Sequence, residues 1–387
     1  MKKQSRLLTA AILVAVPMLL AFSGFIEDDS RSKSFTVAKG GTLEVSVDGG
    51  DIKINVWDKN EVFVKAEGID TDDIDRLKMN QSGNDVRVEF RNRNNWGSSS
   101  NHMRFDITVP SQYNAKIHTS GGDIEVRGSL NGTVKGSTSG GDVVLGNVTG
   151  GKVDLSTSGG DMRTGDIQAD VTLRTSGGNI ELGSVGGEVS VSTSGGDIKV
   201  KSVGKSLKAS TSGGDIEIGD VGGEAKVNTS GGEIKVRKVS GSATLSTAGG
   251  NIDLAMASGT VKANTAGGDI NLKNITGSIE ASTAGGDVDA ELRPTGKGKS
   301  KLSSAGGEIS LSIPEDAKAT IEATIRIQGS WGSRKGEYKV KSDYKADSYD
   351  QDQDEREIRA TYKLNGGGEL IELKTVNSNI NIRKLPK

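Results

Sequence analysis

The chain has 387 residues, 49 basic and 51 acidic side chains, 55 glycines, five prolines and no cysteine. The absence of cysteine excludes disulfides, thiolate metal sites and a Cys nucleophile. A net charge of −2 argues against nucleic-acid binding by bulk electrostatics, and five prolines exclude collagen despite a glycine share about twice the usual 7%.

The N-terminus reads as a signal peptide over residues 1–23. Lys2, Lys3 and Arg6 precede an apolar stretch from Leu7 to Phe22, and the small residues Ala21 and Ser23 predict cleavage after Ser23. The alternative is an uncleaved anchor; an apolar stretch containing Pro17 is short for a span of about 20 residues. A disordered linker is expected over 24–34. Residues 35–110 form an N-terminal β cap with antiparallel-like alternation: Leu43, Val45, Val47, then Ile52, Ile54, Val56, and later Val86, Val88, Phe90. A short helix is predicted within Asp70–Met79 and a mobile loop around Trp96.

From 111 to 313 one motif repeats. The second glycine of a Gly-Gly pair falls at Gly122, Gly141 and Gly160, then at Gly178, Gly196, Gly214, Gly232, Gly250, Gly268 and Gly286, and finally at Gly307; a divergent copy sits at Gly49 and Gly50. The repeat of eighteen would also make five helical turns. However, a glycine pair costs about 2 kcal/mol of helix propensity, and the apolar residues alternate, as Ile216 and Ile218 do with Asp215 and Glu217. The pattern predicts an all-β, parallel β-solenoid (β-helix-like) of about ten 18-residue coils, roughly 50 Å long, with glycine corners at φ > 0 such as Gly213 and Gly214. No Phe, Tyr or Trp occurs between Thr119 and Ser330, which fits a thin aliphatic core. Residues 314–387 form a C-terminal β cap, with a loop or hairpin around Trp331 to Tyr349.

Stacking turns equivalent positions into columns. One is threonine, from Thr119 and Thr138 to Thr265 and Thr283. An outward threonine array could match ice, but alternation with Ala225 and Val227 points Thr229 inward, where its hydroxyl can bond corner backbone. A second column runs Asp123, Asp142, Asp161, Asn179, Asp197, Asp215, Glu233, Asn251, Asp269, Asp287. Calcium binding in nonapeptide repeats needs Gly-Gly-x-Gly-x-Asp, with the acid three places further on than here, where it directly follows the glycines; the Asp/Asn interchange favours a structural turn ladder capping N–H groups. A third column, Glu181, Lys199, Glu217, Lys235, Asp253, alternates in sign and predicts register-fixing pairs.

The segments LEVSVDGGDIKINVWDKNEVFVKAEG, ITVPSQYNAKIHTSGGDIEV and LNGGGELIELKTVNSNINIR, with the iterated TSGGDI units between them, resemble the bacterial putative-adhesin domain family. The resemblance spans residues 35–385. It implies a right-handed β-solenoid-like fold and a cell-envelope location, and brings no catalytic motif.

The residues themselves carry no G-x-S-x-G elbow, phosphate loop, dinucleotide fingerprint or HExxH. No cofactor, metal or catalytic residue is expected. The reading is an exported module, periplasmic, secreted or at the cell surface, that contacts glycan or a cell-envelope protein, binds no nucleic acid and spans no membrane after cleavage. Trp331 and Tyr338 are the candidate ligand contacts, against cap packing as the plainer role. The alternatives are a β-helix polysaccharide lyase or hydrolase, whose clefts are built from loop insertions that seven consecutive equal units leave no room for, and a calcium-stabilised repeat protein.

Overall fold

The structure, a computed structural model, describes residues 31–91, 103–295, 298–328, 338–352 and 356–385. The expected signal segment, residues 24–30 of the expected linker, the expected loop around Trp96, and Trp331 lie outside the described residues; the end of the expected linker is not disordered, because Ser32–Thr36 is a strand paired with Glu61–Glu67. Among the described residues every regular element is a β-strand apart from one short 3₁₀ helix, Thr71–Arg76.

One unit shows how the sequence makes the coil. Ile216–Val221 and Ala225–Asn228 are its two strands, and they lie in different sheets. Ile216, Ile218, Val221, Ala225, Val227 and Thr229 point inward and are buried, while Glu217 and Lys226 point out. Each residue sits on its equivalent one repeat away: Ile216 lies between Ile198 and Ile234, Val227 between Ala209 and Leu245. Neighbouring strands run parallel throughout the repeat, so each coil buries its apolar edge only by stacking on the next. The inward step from Ile218 to Val221 is three residues rather than two. Gly219 sits at that bend, where a Cβ would run into the Lys201 carbonyl.

The corner glycines need correction. The repeat pairs from Gly121–Gly122 to Gly306–Gly307 do not hold positive φ, whereas Gly50, of the divergent copy, does. The pairs are required for a different reason. A Cβ on the second glycine of each corner would fall well inside 3.0 Å of the backbone of the neighbouring coil's equivalent glycine, as at Gly214 against Gly196.

The stack is also longer than the sequence predicts. Fifteen parallel rungs pile up among the described residues, because the flanks contribute coils of their own. At about 4.8 Å per rung the rod is on the order of 65–70 Å long. At the N-terminal end, Thr42–Val47 and Asp51–Trp57 pack directly on Asn114–Thr119 and Ile124–Asn131. On their other side lie Asp85–Phe90 and Arg104–Pro110, also parallel. The antiparallel pairing expected of this flank appears only beyond them, where Lys78–Ser82, Glu61–Glu67 and Ser32–Thr36 close the end.

The C-terminal end repeats this device in reverse. The last coil in sequence, Glu369–Val376 with Ile380–Lys384, lies on Lys299–Ser304 and Ile309–Ile313. The earlier strands Ala319–Arg326 and Val340–Ser342 lie outside it, and Glu357–Leu364 and Ser348–Asp352 finish the sheet antiparallel. The terminal coils are thus paired on two sides, except that Val340–Ser342 pairs on one side only among the described residues. The antiparallel strands outside them break the register on which a further coil would stack. Aromatics serve these ends. Phe90 and Phe105 are buried at the N-terminal end with ring centroids 6.3 Å apart, Tyr113 is buried at that same end, and Tyr362 at the other.

Candidate functional site

The conspicuous side chains of this protein are the columns, and each can be followed bond by bond. At the glycine corner Thr211 donates its hydroxyl to the Gly196 carbonyl of the preceding coil at 2.9 Å, and accepts the Gly214 N–H of its own coil at 3.4 Å. The pattern begins at Thr119, bonded to the Gly50 carbonyl, and ends at Thr375, bonded to that of Gly307, with Ser304 standing in for threonine once. All these hydroxyls are buried, so the column offers nothing to ice.

The acidic column lies just past the same corner. Asp215 donates its backbone N–H to Asp197 Oδ1 at 2.8 Å, and the same bond joins Asp51 to Asp123, Asp123 to Asp142, Asp142 to Asp161, Asp161 to Asn179 and Asn179 to Asp197. It continues from Asp215 to Glu233, Asn251 to Asp269, Asp269 to Asp287 and Asp287 to Glu308. The bond uses one carbonyl-like oxygen, which explains why asparagine serves at Asn179 and Asn251. Glu233 is one methylene too long: its carboxylate pairs with Lys235 at 2.7 Å, and among the described residues it makes no bond to the Asn251 N–H. Among the described residues no group of three His, Asp or Glu side chains is placed to hold a metal ion.

Related bonds occupy the end of the first strand and the opposite turn, and nothing in the Gly-Gly motif signals them. Asn147 accepts the N–H of Asp166, Asp166 that of Ser184, and Asp170 that of Glu188, at 2.8, 2.8 and 3.1 Å. The Glu188 N–H, reinforced by Lys152, holds the Asp170 carboxyl below the usual carboxylate range. The available signal was an Asp or Asn recurring at the repeat interval without a glycine pair, as Asn147 and Asp166 do. Beside this turn a shallow groove of about 460 Å³ follows the axis, with Asp166, Ser184, Ser202, Asp220 and Lys238 along it.

Of the two aromatic candidates, Tyr338 is half-buried and packs against the core, which favours cap packing over a ligand platform. Trp331 lies outside the described residues, so the two are not brought together here. His118 is exposed, with Nδ1 2.8 Å from Ser137 Oγ. His102 lies outside the described residues.

The two outward faces differ. On the first sheet Arg163, Glu181, Lys199, Glu217, Lys235 and Asp253 stand on successive rungs, alternating in sign, with Lys199 and Glu217 at 3.7 Å. The second sheet does not alternate. From Val171–Arg174 to Val261–Asn264 its outward side chains are Ser, Thr and Asn together with Arg174, Lys208, Lys226 and Lys262, with no acid among them.

The profile of one sequence family, Toastrack DUF4097, matches residues 41–222, 189–343 and 223–383, together nearly the whole described chain. The chain belongs to the Toastrack DUF4097 family. Solved structures that align with this Toastrack chain include a putative cell adhesion protein from Clostridium sporogenes, 9% identical, covering 92% of this chain and 99% of that one, with a TM-score of 0.16. A putative adhesin from Bacteroides fragilis is 10% identical over 92% and 96%, with a TM-score of 0.23. Another, from Parabacteroides distasonis, is 12% identical over 73% and 92%, with a TM-score of 0.22. Among curated proteins none matches. No helix among the described residues is long and apolar enough to cross a membrane.

Shifted ionisations in this Toastrack fold trace to packing and pairing rather than to a shared cleft. Burial, and after it the Asp85 charge, pushes the Tyr113 phenol up to about 12. Burial also raises Asp289. A hydrogen bond from Lys299, which joins the last coil to its neighbour, lowers Glu372.

Proposed function

We propose that this chain is an exported, non-catalytic rod of the cell envelope that works as a binding module, its repeated flat faces contacting glycan or an envelope protein. The observation that carries this reading is the division of labour in each coil. The corner hydroxyls and most corner carboxylates are consumed in holding one coil to the next, whereas the outward strand positions present regular rows of side chains along the rod. Such a surface suits an extended partner better than a small substrate, which needs a concave pocket with convergent groups. The basic, apolar N-terminal segment supports export.

The test pairs cell fractionation with a glycan array and a reducing-sugar assay on the purified protein. Recovery in the envelope or secreted fraction, with binding and no turnover, supports the reading. Turnover of a polysaccharide would replace it with the lyase or hydrolase alternative. Recovery in the cytosol would refute export.

A further inference from the structure

The second sheet carries a feature that its own stability does not explain. Lys208 and Lys226 stand directly opposite each other on adjacent rungs, flanked on their column by Ser190 and Thr244. Like charges opposed across a strand pair are destabilising. The Lys116–Lys135 pair elsewhere on this sheet is bracketed by Glu44 and Asp154, but Lys208 and Lys226 have no such neighbours. Among the described residues neither makes an ion pair.

Two further cations lie two rungs away on either side. Arg174 reaches Asp154 at 3.4 Å and Lys262 reaches Glu280 at 3.1 Å, both at the margins of the strip. Between these margins Ser192, Ser210, Asn228 and Ser246 form a parallel row of small hydrogen-bonding groups, two residues beyond the Ser190, Lys208, Lys226 and Thr244 column. Acids border the strip on one side: Asp170 and Glu188 line a groove with Ser190 and Lys208, and Glu224 lies two residues before Lys226, but neither lysine pairs with them. On a protein of net charge −2 this strip is a local exception.

We propose that this face binds a linear acidic polysaccharide, a polyuronate lying parallel to the rod axis, with Lys208 and Lys226 at its centre. Three physical arguments select that occupant. Charge complementarity calls for an anion, and a row of exposed cations along a polymer of fixed charge gains by releasing its counterions. The rise of about 4.8 Å per coil is close to the length of one sugar residue in an extended chain, so a polymer lying along the axis keeps step with the rungs. With no aromatic ring between Thr119 and Ser330, a neutral glycan finds nothing to stack on, and binding must come from charge and hydrogen bonds. The inference rests on the binding-rod reading and names its ligand class.

The experiment titrates the purified chain with polygalacturonate, with dextran as a neutral control and single-stranded DNA of matched charge as the other polyanion. Three variants accompany it: K208Q/K226Q, the charge-keeping K208R/K226R, and K199Q/K235Q on the opposite face. The inference predicts that polygalacturonate binds and that dextran does not. K208Q/K226Q binds at least about tenfold more weakly and lowers the log–log salt slope by on the order of one to two, while the other variants stay within about twofold of the parent. Unchanged melting of K208Q/K226Q shows that the loss is not unfolding. Failure of the parent to bind, equal weakening by K199Q/K235Q, or DNA binding as tightly as polygalacturonate overturns the inference. If a glycan or envelope partner found by array or fractionation binds K208Q/K226Q normally, the rod reading stands and this face is not its site.

Discussion

Replacing Gly214 by alanine, beside the same change at Gly213, tests why the corners are glycine. Both residues belong to one corner and neither has positive φ. A Cβ at Gly213 would meet the Gly195 carbonyl at 3.3 Å, a tight contact that a shift of a few tenths of an ångström relieves. A Cβ at Gly214 would lie well inside 3.0 Å of the Gly196 carbonyl, backbone that cannot swing away. To accept it the coil must retreat by about 1 Å. Two inter-coil bonds cross that corner, Thr211 to the Gly196 carbonyl at 2.9 Å and the Asp215 N–H to Asp197 at 2.8 Å. Stretched by that amount, both pass the range of a real hydrogen bond. At about 0.5–1.5 kcal/mol each, G214A costs roughly 1–3 kcal/mol. G213A should stay within about 1 kcal/mol of the parent, because alanine also stiffens the unfolded chain. Coils unfold in part independently, so the assay is hydrogen exchange across residues 196–232 together with thermal melting. Faster exchange localised to this corner in G214A alone is the expected result. Indistinguishable exchange and melting in the two variants would refute the close-approach argument.

Three further outcomes are expected. Thr229→Val leaves the Gly214 carbonyl without its 2.9 Å donor and should cost about 1–3 kcal/mol in denaturant melts, whereas Thr229→Ser, which keeps the hydroxyl, should recover most of it. Asp197→Asn should be nearly neutral and Asp197→Ala should lose about 0.5–1.5 kcal/mol, since the cap uses one oxygen; millimolar calcium should leave the melting temperature of both and of the parent unchanged, and a rise of several degrees in the parent would show that the acidic column gathers cations. The Tyr113 phenol, raised to about 12 chiefly by burial, favours the fold in its neutral form, so its contribution is complete below the unfolded value near 10 and is lost as pH climbs from 10 to 12. Tyrosinate absorbance should show a late-titrating ring that disappears in Tyr113→Phe.

The repeat was legible because strand alternation and a fixed period are both local signals, and parallel stacking leaves no other way to bury the inward side chains of each coil. The sign of each position followed too: parity placed Thr229 inside and Glu217 outside. The ends were not legible in the same way. Thr42–Val47 and Asp51–Trp57 form a regular coil, but their stacking partners, Asn114–Thr119 and Ile124–Asn131, lie far along the chain, and the hairpin strands interleaved between them mimic an antiparallel domain. The pair Gly49–Gly50 marks that coil's corner, but nothing local says which strands stack on it. The corner glycines were assigned to turn conformation when the demand comes from the next coil's backbone, which no single unit contains. The Lys208–Lys226 strip has no signature of its own in the sequence, because these lysines stand on the half of the unit that lacks the Gly-Gly pair and only the parallel register sets them opposite each other.

The central claim is one rung per repeat unit, and the absence of cysteine makes it directly measurable. Spin labels on cysteines replacing Ser156 and, in separate variants, Asn228, Ser246, Asn264 or Ser282 all lie on one outward column, four to seven rungs apart. Pulsed electron–electron distances should rise linearly, from about 19 Å to about 34 Å in steps near 4.8 Å. Distances that level off or alternate along the series would contradict the stacked rod.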